Sequence, residues 1–471
     1  MTAAPLPTST PSREGIDPTA LLELLDAVES DPRIEPHGLI IQRHGRRVLE
    51  AYWRPHRPGQ ARLVYSLSKS FTGAALALAV GDGLLSLDDL VADHLPESAA
   101  EADERTRRMR IRHIASMSSG HADETLLDAF IADPDDVVRG FLHLPPEHEP
   151  GTWFAYNQPP VLALATVLQQ LTGQRLVDQL RDRVLDPLGI DDLRWYQYQP
   201  GVDLGFSGVY THLDAIARFG QLHLDDGCVD GRRILPEGWV DQASRPQVEN
   251  PQRPEPDWSQ GYGFQLWMCQ HGYRGDGAFG QYMVVLPEQD TVVAFFSTTE
   301  PMQPFLDLLW QRLLPALDTN GGPDPDGDRA VAERTAGLRL PTAAERTGTA
   351  GSATARAAHG TFRRADGAPS HHSITGVEVG DGHLTIHEGD EALRIPLEAG
   401  WADVPGHPIA ASATVGDDGG VTVDVAMLAT PHRLELTTDP RTSTFRATWP
   451  LPPLFGLGLD PVLARMRPPD D

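Results

Sequence analysis

Residues 67–80 constrain this chain more than any other stretch. The run is rich in Ala and Leu, and its sole charged residue is Lys69. Such a pattern is a helix buried on all sides, not an amphipathic surface helix. Gly81-Asp82-Gly83 ends it. Lys plus Arg total 39, and Lys69 is the only lysine among them. A coding bias towards Arg accounts for the missing surface lysines but not for the exception. Arg stays protonated at any accessible pH, whereas a buried amine can lose its proton and act as a base. A site that needs a cation able to deprotonate cannot use Arg.

The residues around Lys69 give that amine a task. Ser66-Leu67-Ser68-Lys69 is an S-x-x-K pattern. With Ser66 opening the helix, Lys69 lies one turn on and on the same face, so its amine can reach the Ser66 hydroxyl. A serine hydroxyl is a weak nucleophile until a neighbour takes its proton. A desolvated amine can take it, because burial lowers its pKa. The helix N-terminus adds N–H groups that stabilise negative charge.

Periodicity outlines the rest. Residues 18–30 read as an amphipathic helix, and 38–43 and 47–53 as strands about the turn His44-Gly45-Arg46. Helical segments follow around 111–117, 161–171 and 175–185. Residues 281–286 and 291–297 read as a strand–turn–strand, and 305–314 as a helix. The early strands and the late pair are expected to share one antiparallel sheet with the buried helix packed on it. From 318 to 350 the composition shifts to Gly, Pro, Asp, Ala, Thr and Arg, which reads as a linker with a short helix near 329–334. Alternation at period two then returns at 383–387, 421–425, 433–436 and 445–449, the mark of a small all-β domain. The expected division is 1–317, 318–350 and 351–471.

Three blocks in order carry a family resemblance. Y-S-L-S-K-S-F-T-G at 65–73, G-L-L-S-L-D-D at 83–89 and I-R-H-I-A-S-M-S-S-G at 111–120 resemble the class C β-lactamase and penicillin-binding-protein-like serine hydrolases. The resemblance spans residues 18–314 and is nearest the esterase and amidase type. It implies an α+β fold of the serine β-lactamase kind, an antiparallel sheet flanked by helices plus an all-helical lobe, here followed by the C-terminal all-β domain. The family's Y-x-N motif is matched by Tyr156-Asn157-Gln158 after the lead Pro150-Gly151. The resemblance implies that Tyr156 shuttles a proton. Gln158 stands where Asn is expected and Asn157 one place early, so either amide is a candidate substrate contact.

The third family motif is K-T-G or H-x-G on an edge strand. The only lysine is already used, so K-T-G is impossible. The matching segment is 273–282, with Arg274, Gly275, Asp276, Gly277 and Ala278. Its glycines would let the backbone approach the scissile carbonyl. The resemblance implies Gly275, Asp276 and Gly277 as substrate-binding, and the Ala278 N–H as the oxyanion-hole partner of the Ser66 N–H. Arg274 either replaces the missing lysine as a carboxylate anchor or is a solvated strand end. Loss of K-T-G weighs against a dedicated β-lactamase.

The expected function is a serine hydrolase cleaving an ester or amide, β-lactams and D-amino-acid peptides included. It would use an acyl-enzyme on Ser66, Lys69 as base and Tyr156 as shuttle. An acyltransferase or peptide-cyclising enzyme would use the same residues, and a non-catalytic penicillin-recognising protein is the third alternative. No metal or other cofactor is expected: H-E-x-x-H spacing and G-x-S-x-G are missing, and no G-x-G-x-x-G opens a helix as a nucleotide-binding fingerprint does. The run Asp324 to Asp328 hints at a calcium loop, but Arg329 sits where Gly is required and Thr335 where Glu is required. A net charge of −27 argues against nucleic-acid and membrane-surface partners. The partner expected is a small-molecule ester, amide or peptide. The first residues lack a basic start and an apolar run, and there are only 2 cysteines, so a cytoplasmic location is expected.

Overall fold

The computed structural model describes residues 6–317, 322–348, 356–365 and 373–454. Helix α1 (Pro18–Ser30) starts behind Asp17, whose side chain accepts from the Thr19 N–H, with Pro18 at the first position. Strands β1 (Ile34–Arg43) and β2 (Arg46–Tyr52) turn at His44-Gly45. Both turn residues have positive φ, 51° and 68°, which suits the twist of a two-residue hairpin. The same sheet is completed late in the domain by β3 (Trp267–Met268), β4 (Tyr273–Gly277), β5 (Gln281–Leu286) and β6 (Thr291–Thr299). Its order is β3-β4-β5-β6-β1-β2, with every pairing antiparallel.

The first and last strands are thus neighbours, with Leu39 opposite Phe295 and Ile41 opposite Val293. Both faces of the sheet are covered. Leu39, Ile41, Val293 and Phe295 join α1 in one apolar cluster, while Ile40, Met283, Ala294 and Phe296 join the helical lobe in another. A strand covered on both sides reads as a continuous apolar run, and that is why 291–297 shows no alternation.

Helix α2 (Ser68–Gly81) lies on the helical-lobe side of the sheet, buried from Ser68 to Ala79. Its polar side chains have partners: Ser68 Oγ donates to Tyr65 O at 2.6 Å, Ser70 Oγ to Gln265 O at 3.2 Å and Thr72 Oγ1 to Gly205 O at 2.8 Å. A helix so enclosed requires this, because each unpaired hydroxyl would keep its desolvation cost. Helix α3 (Pro159–Thr172) packs against it in the helical lobe. Helix α4 (Leu213–Leu224) contributes Phe219, stacked on Phe71 with ring centroids 4.2 Å apart.

Residues 325–347, read from composition as part of a linker with a short helix near 329–334, are ordered structure packed on the core, and that helix is longer than expected. Helix α5 (Pro325–Ala336) places Val331 in the same cluster as α1, and Leu338 and Leu340 follow it there. Helix α6 (Ala343–Thr347) carries a capping box between Thr342 and Glu345. Three apolar residues among many charged ones show no periodicity, yet they suffice to dock a segment on a core that already exists.

The C-terminal sheet contains β7 (Gly360–Arg364), β8 (Ile374–Gly380), β9 (His383–Glu388), β10 (Glu391–Pro396), β11 (Ala402–Asp403), β12 (Ile409–Val415), β13 (Val421–Met427), β14 (Arg433–Asp439) and β15 (Thr444–Thr448). Its order is β10-β9-β8-β7-β15-β14-β13-β12-β11, and only the β7–β15 pair is parallel. Alternate residues such as Ile386, Val423 and Leu434 form a cluster of its own. Among the described residues no helix is long and apolar enough to cross a membrane.

Candidate active site

A short turn, Tyr65–Leu67, runs directly into α2 and carries Ser66. Lys69 is 1% exposed. Its Nζ lies 3.0 Å from Ser66 Oγ, 2.7 Å from Gln158 Oε1 and 2.8 Å from the carbonyl oxygen of Phe206. The last two are acceptors only, so they take two N–H bonds and leave the third position on nitrogen facing Ser66. Burial brings the Lys69 pKa down to about 7, against the opposing pull of Asp276 and Glu124. An amine in that range can exchange a proton at neutral pH.

Tyr156 lies beside the same amine. Its ring centroid is 4.8 Å from Lys69 Nζ. Burial raises its pKa above the ordinary phenol value and the Asp276 charge adds to this, with the Ser66 contact working the other way. The group is a protonated donor. Its ring stacks on Trp267, centroids 5.1 Å apart. The Tyr156 segment is tied to the block at 111–120: Gly151 N donates to Ser118 O at 2.7 Å and Ala155 N to Met117 O at 3.0 Å. Two separate sequence blocks are thus one piece of backbone behind the site.

Gln158 and Asn157 face different ways. The Gln158 amide oxygen accepts from Lys69, and its Nε2 is the group's remaining donor. Asn157 is 0% exposed, and its Oδ1 accepts from Thr125 N at 3.0 Å and Thr125 Oγ1 at 3.1 Å. The expectation that Asn157 meets substrate does not fit a side chain enclosed in the lobe. Glu124 Oε1 accepts from Gln158 N at 3.3 Å and Leu126 N at 3.0 Å, and burial raises its pKa. It was not foreseen, since no motif marks it.

Strand β4 passes against the turn that carries Ser66. A Cβ on Gly277 would stand 1.9 Å from Val64 O, and one on Gly275 would stand 2.3 Å from Ser70 Oγ. The close approach these glycines permit is therefore to the turn and to α2, not to a scissile carbonyl. Asp276 is 7% exposed and accepts from Arg274 Nε at 2.8 Å. Arg274 is neither a solvated strand end nor a free carboxylate anchor. It is fully buried, also donates to Asp257 O at 2.6 Å, and lies 4.2 Å from the Trp258 ring. Ala278 follows at the strand end, half-buried.

A sequence model described as Beta-lactamase matches residues 30–318. The chain belongs to the Beta-lactamase family. It is a serine hydrolase of that family, and its Ser66–Lys69–Tyr156 cluster lies within the matched residues. It is 28% identical to penicillin-binding protein 4 of Amycolatopsis lactamdurans over 294 residues, 54% of this chain and 76% of that protein. It is 24% identical to the 6-aminohexanoate-dimer hydrolase of Paenarthrobacter ureafaciens over 280 residues, 54% of this chain and 70% of that protein. Among solved structures, the octameric penicillin-binding protein homologue from Pyrococcus abyssi superposes with a TM-score of 0.51 at 15% identity, over 88% of this chain and 97% of that one. That likeness is one of fold, and it extends beyond the Beta-lactamase portion into the C-terminal sheet.

Proposed function

We propose that this enzyme hydrolyses esters or amides through an acyl-enzyme on Ser66. The observation that carries the reading is the Lys69 nitrogen, dry, 3.0 Å from Ser66 Oγ and otherwise engaged only with neutral acceptors. Neutral Lys69 takes the Ser66 proton as Oγ bonds to the substrate carbonyl carbon. The resulting oxyanion is held by the N–H groups of Ser66 and Ala278. As the tetrahedral intermediate collapses, the bond to the leaving group breaks. The Tyr156 phenol protonates that group and regains its proton from the Lys69 ammonium. Water then attacks the acyl carbon, its proton passes to the same relay, and Ser66 leaves with its hydroxyl restored. Gln158 Nε2 is the side-chain donor for a substrate carbonyl. Because Arg274 is engaged with Asp276, β4 offers no free cation to a substrate carboxylate, which favours neutral esters and amides over β-lactams.

Ser66→Ala tests this. Turnover of a short nitrophenyl ester and covalent labelling by a fluorophosphonate should both disappear. Retention of the wild-type hydrolysis rate would overturn the assignment.

A further inference from the structure

The turn between β13 and β14, residues 428–432, belongs to the C-terminal sheet yet is buried against the nucleophile turn. Leu63 N donates to Ala429 O at 2.9 Å, and Thr298 Oγ1 donates to Pro431 O. Next in the chain, Arg433 pairs with Glu35 of β1 at 3.0 Å. These contacts seat His432, 4% exposed, beside Tyr65 and Phe279. Its Nδ1 lies 3.2 Å from the Leu451 carbonyl oxygen, an acceptor only, so Nδ1 carries the proton. Nε2 is then the acceptor for the Tyr65 phenol at 2.6 Å. The same ring meets Phe279 edge-on with centroids 4.8 Å apart, and Tyr65 meets Phe279 at 5.4 Å.

Tyr65 and Phe279 share an unusual backbone. Tyr65 has φ +50° and Phe279 φ +65°, the left-handed region that side chains avoid. Each is adjacent in sequence to one of the two groups assigned to the oxyanion: Tyr65 precedes Ser66, and Phe279 follows Ala278. Gln281 Nε2 steadies the second turn from the sheet side, donating to Ala278 O at 3.2 Å and Phe279 O at 3.0 Å.

We infer that His432 is a positioning residue for the oxyanion hole. It clasps Tyr65 and Phe279, and so keeps the Ser66 and Ala278 N–H groups converged on one point. The inference rests on the acyl-enzyme reading above. It makes the C-terminal sheet part of the catalytic apparatus although no residue of it touches the reacting atoms. Its effect should fall on the transition state, because the oxyanion forms only there, and not on ground-state binding.

The test uses the full chain and a nitrophenyl ester. His432→Ala should lower kcat by roughly 10- to 100-fold, the scale of a small misplacement in a site, with KM within about twofold of wild type. Tyr65→Phe, which leaves the imidazole in place, should cost a similar factor, and the double variant should be little worse than either single one. His432→Gln, able to accept from the Tyr65 hydroxyl, should recover most of the loss. Active-site titration with a fluorophosphonate corrects each rate for folded enzyme. The proposal is overturned if His432→Ala keeps kcat within about twofold per titrated site, if the loss lies in KM, or if Gln does no better than Ala. Ser66→Ala separates the two questions: wild-type activity there sinks the acyl-enzyme reading, whereas an inactive Ser66→Ala beside a fully active His432→Ala sinks only this one.

Discussion

Lys69 and Arg274 are both enclosed in the hydrolase domain, at 1% and 0% exposure, on neighbouring elements, and the protein treats their charges in opposite ways. Arg274 is given a carboxylate at 2.8 Å, a carbonyl at 2.6 Å and the face of Trp258. Burial opposes its charge, but Cys269 and Asp276 outweigh that, and its pKa stays above the ordinary arginine value. Lys69 receives an amide oxygen, a carbonyl and a hydroxyl, and burial brings it to about 7. Desolvation is common to both, and the partner decides the outcome. A direct ion pair makes a permanent cation that builds the strand. Neutral dipoles make a base. Residue type follows: guanidinium where charge must stay, amine where it must leave.

The comparison breaks first at Lys69. Lys69→Arg keeps the charge and removes the base, so kcat/KM for ester hydrolysis should fall by about 10²- to 10⁴-fold. Circular dichroism should show an intact fold, and activity near wild type would show that the amine is not the base. The next effect is at the partner. Asp276→Asn leaves Arg274 charged and unpaired, and should cost about 3–5 kcal/mol of stability in denaturant unfolding. A loss below about 1 kcal/mol would mean that the carbonyl and indole contacts alone hold the guanidinium. The smallest effect sharpens the contrast. The acidic limb of the wild-type kcat/KM profile should lie near pH 7, where Lys69 loses its proton. Glu124 favours the ammonium form, so Glu124→Gln should lower the Lys69 pKa further. The limb then moves to lower pH by a fraction of a unit. Movement to higher pH would reverse the sign assigned to that carboxylate.

The site was legible in part because its core lies close together in sequence. Ser66 and Lys69 are one helical turn apart, and the solitary lysine stood out against arginines. Tyr156 was legible from its Pro-Gly lead. The contributions of Asn157 and Gln158 were not separable, since only packing tells which of two adjacent amides turns inward. Arg274 was misread because strand periodicity reports alternation, whereas the residues that decide burial, Asp257, Trp258 and Trp267, come from elsewhere in the chain. His432 left no local signal at all: it meets Tyr65 across 367 residues. The fold shows the same division. The α2 helix was marked by its unbroken small and apolar run, and the C-terminal strands by their alternation. In the segment docked by isolated apolar residues, a short helix near 329–334 was legible within α5, but α6 was not.

The glycines of β4 have one more implication. Where a Cβ on Gly277 would fall 1.9 Å from Val64 O, main chain rests directly on main chain. The spacing between that strand and the turn carrying Ser66 is set by the thickness of the polypeptide itself. Ordinary pockets can be widened or narrowed a methyl group at a time, but a gap of this sort has no such dial. Selection on substrate preference must therefore act through the surrounding loops and aromatic side chains, while this junction is either kept as it is or lost.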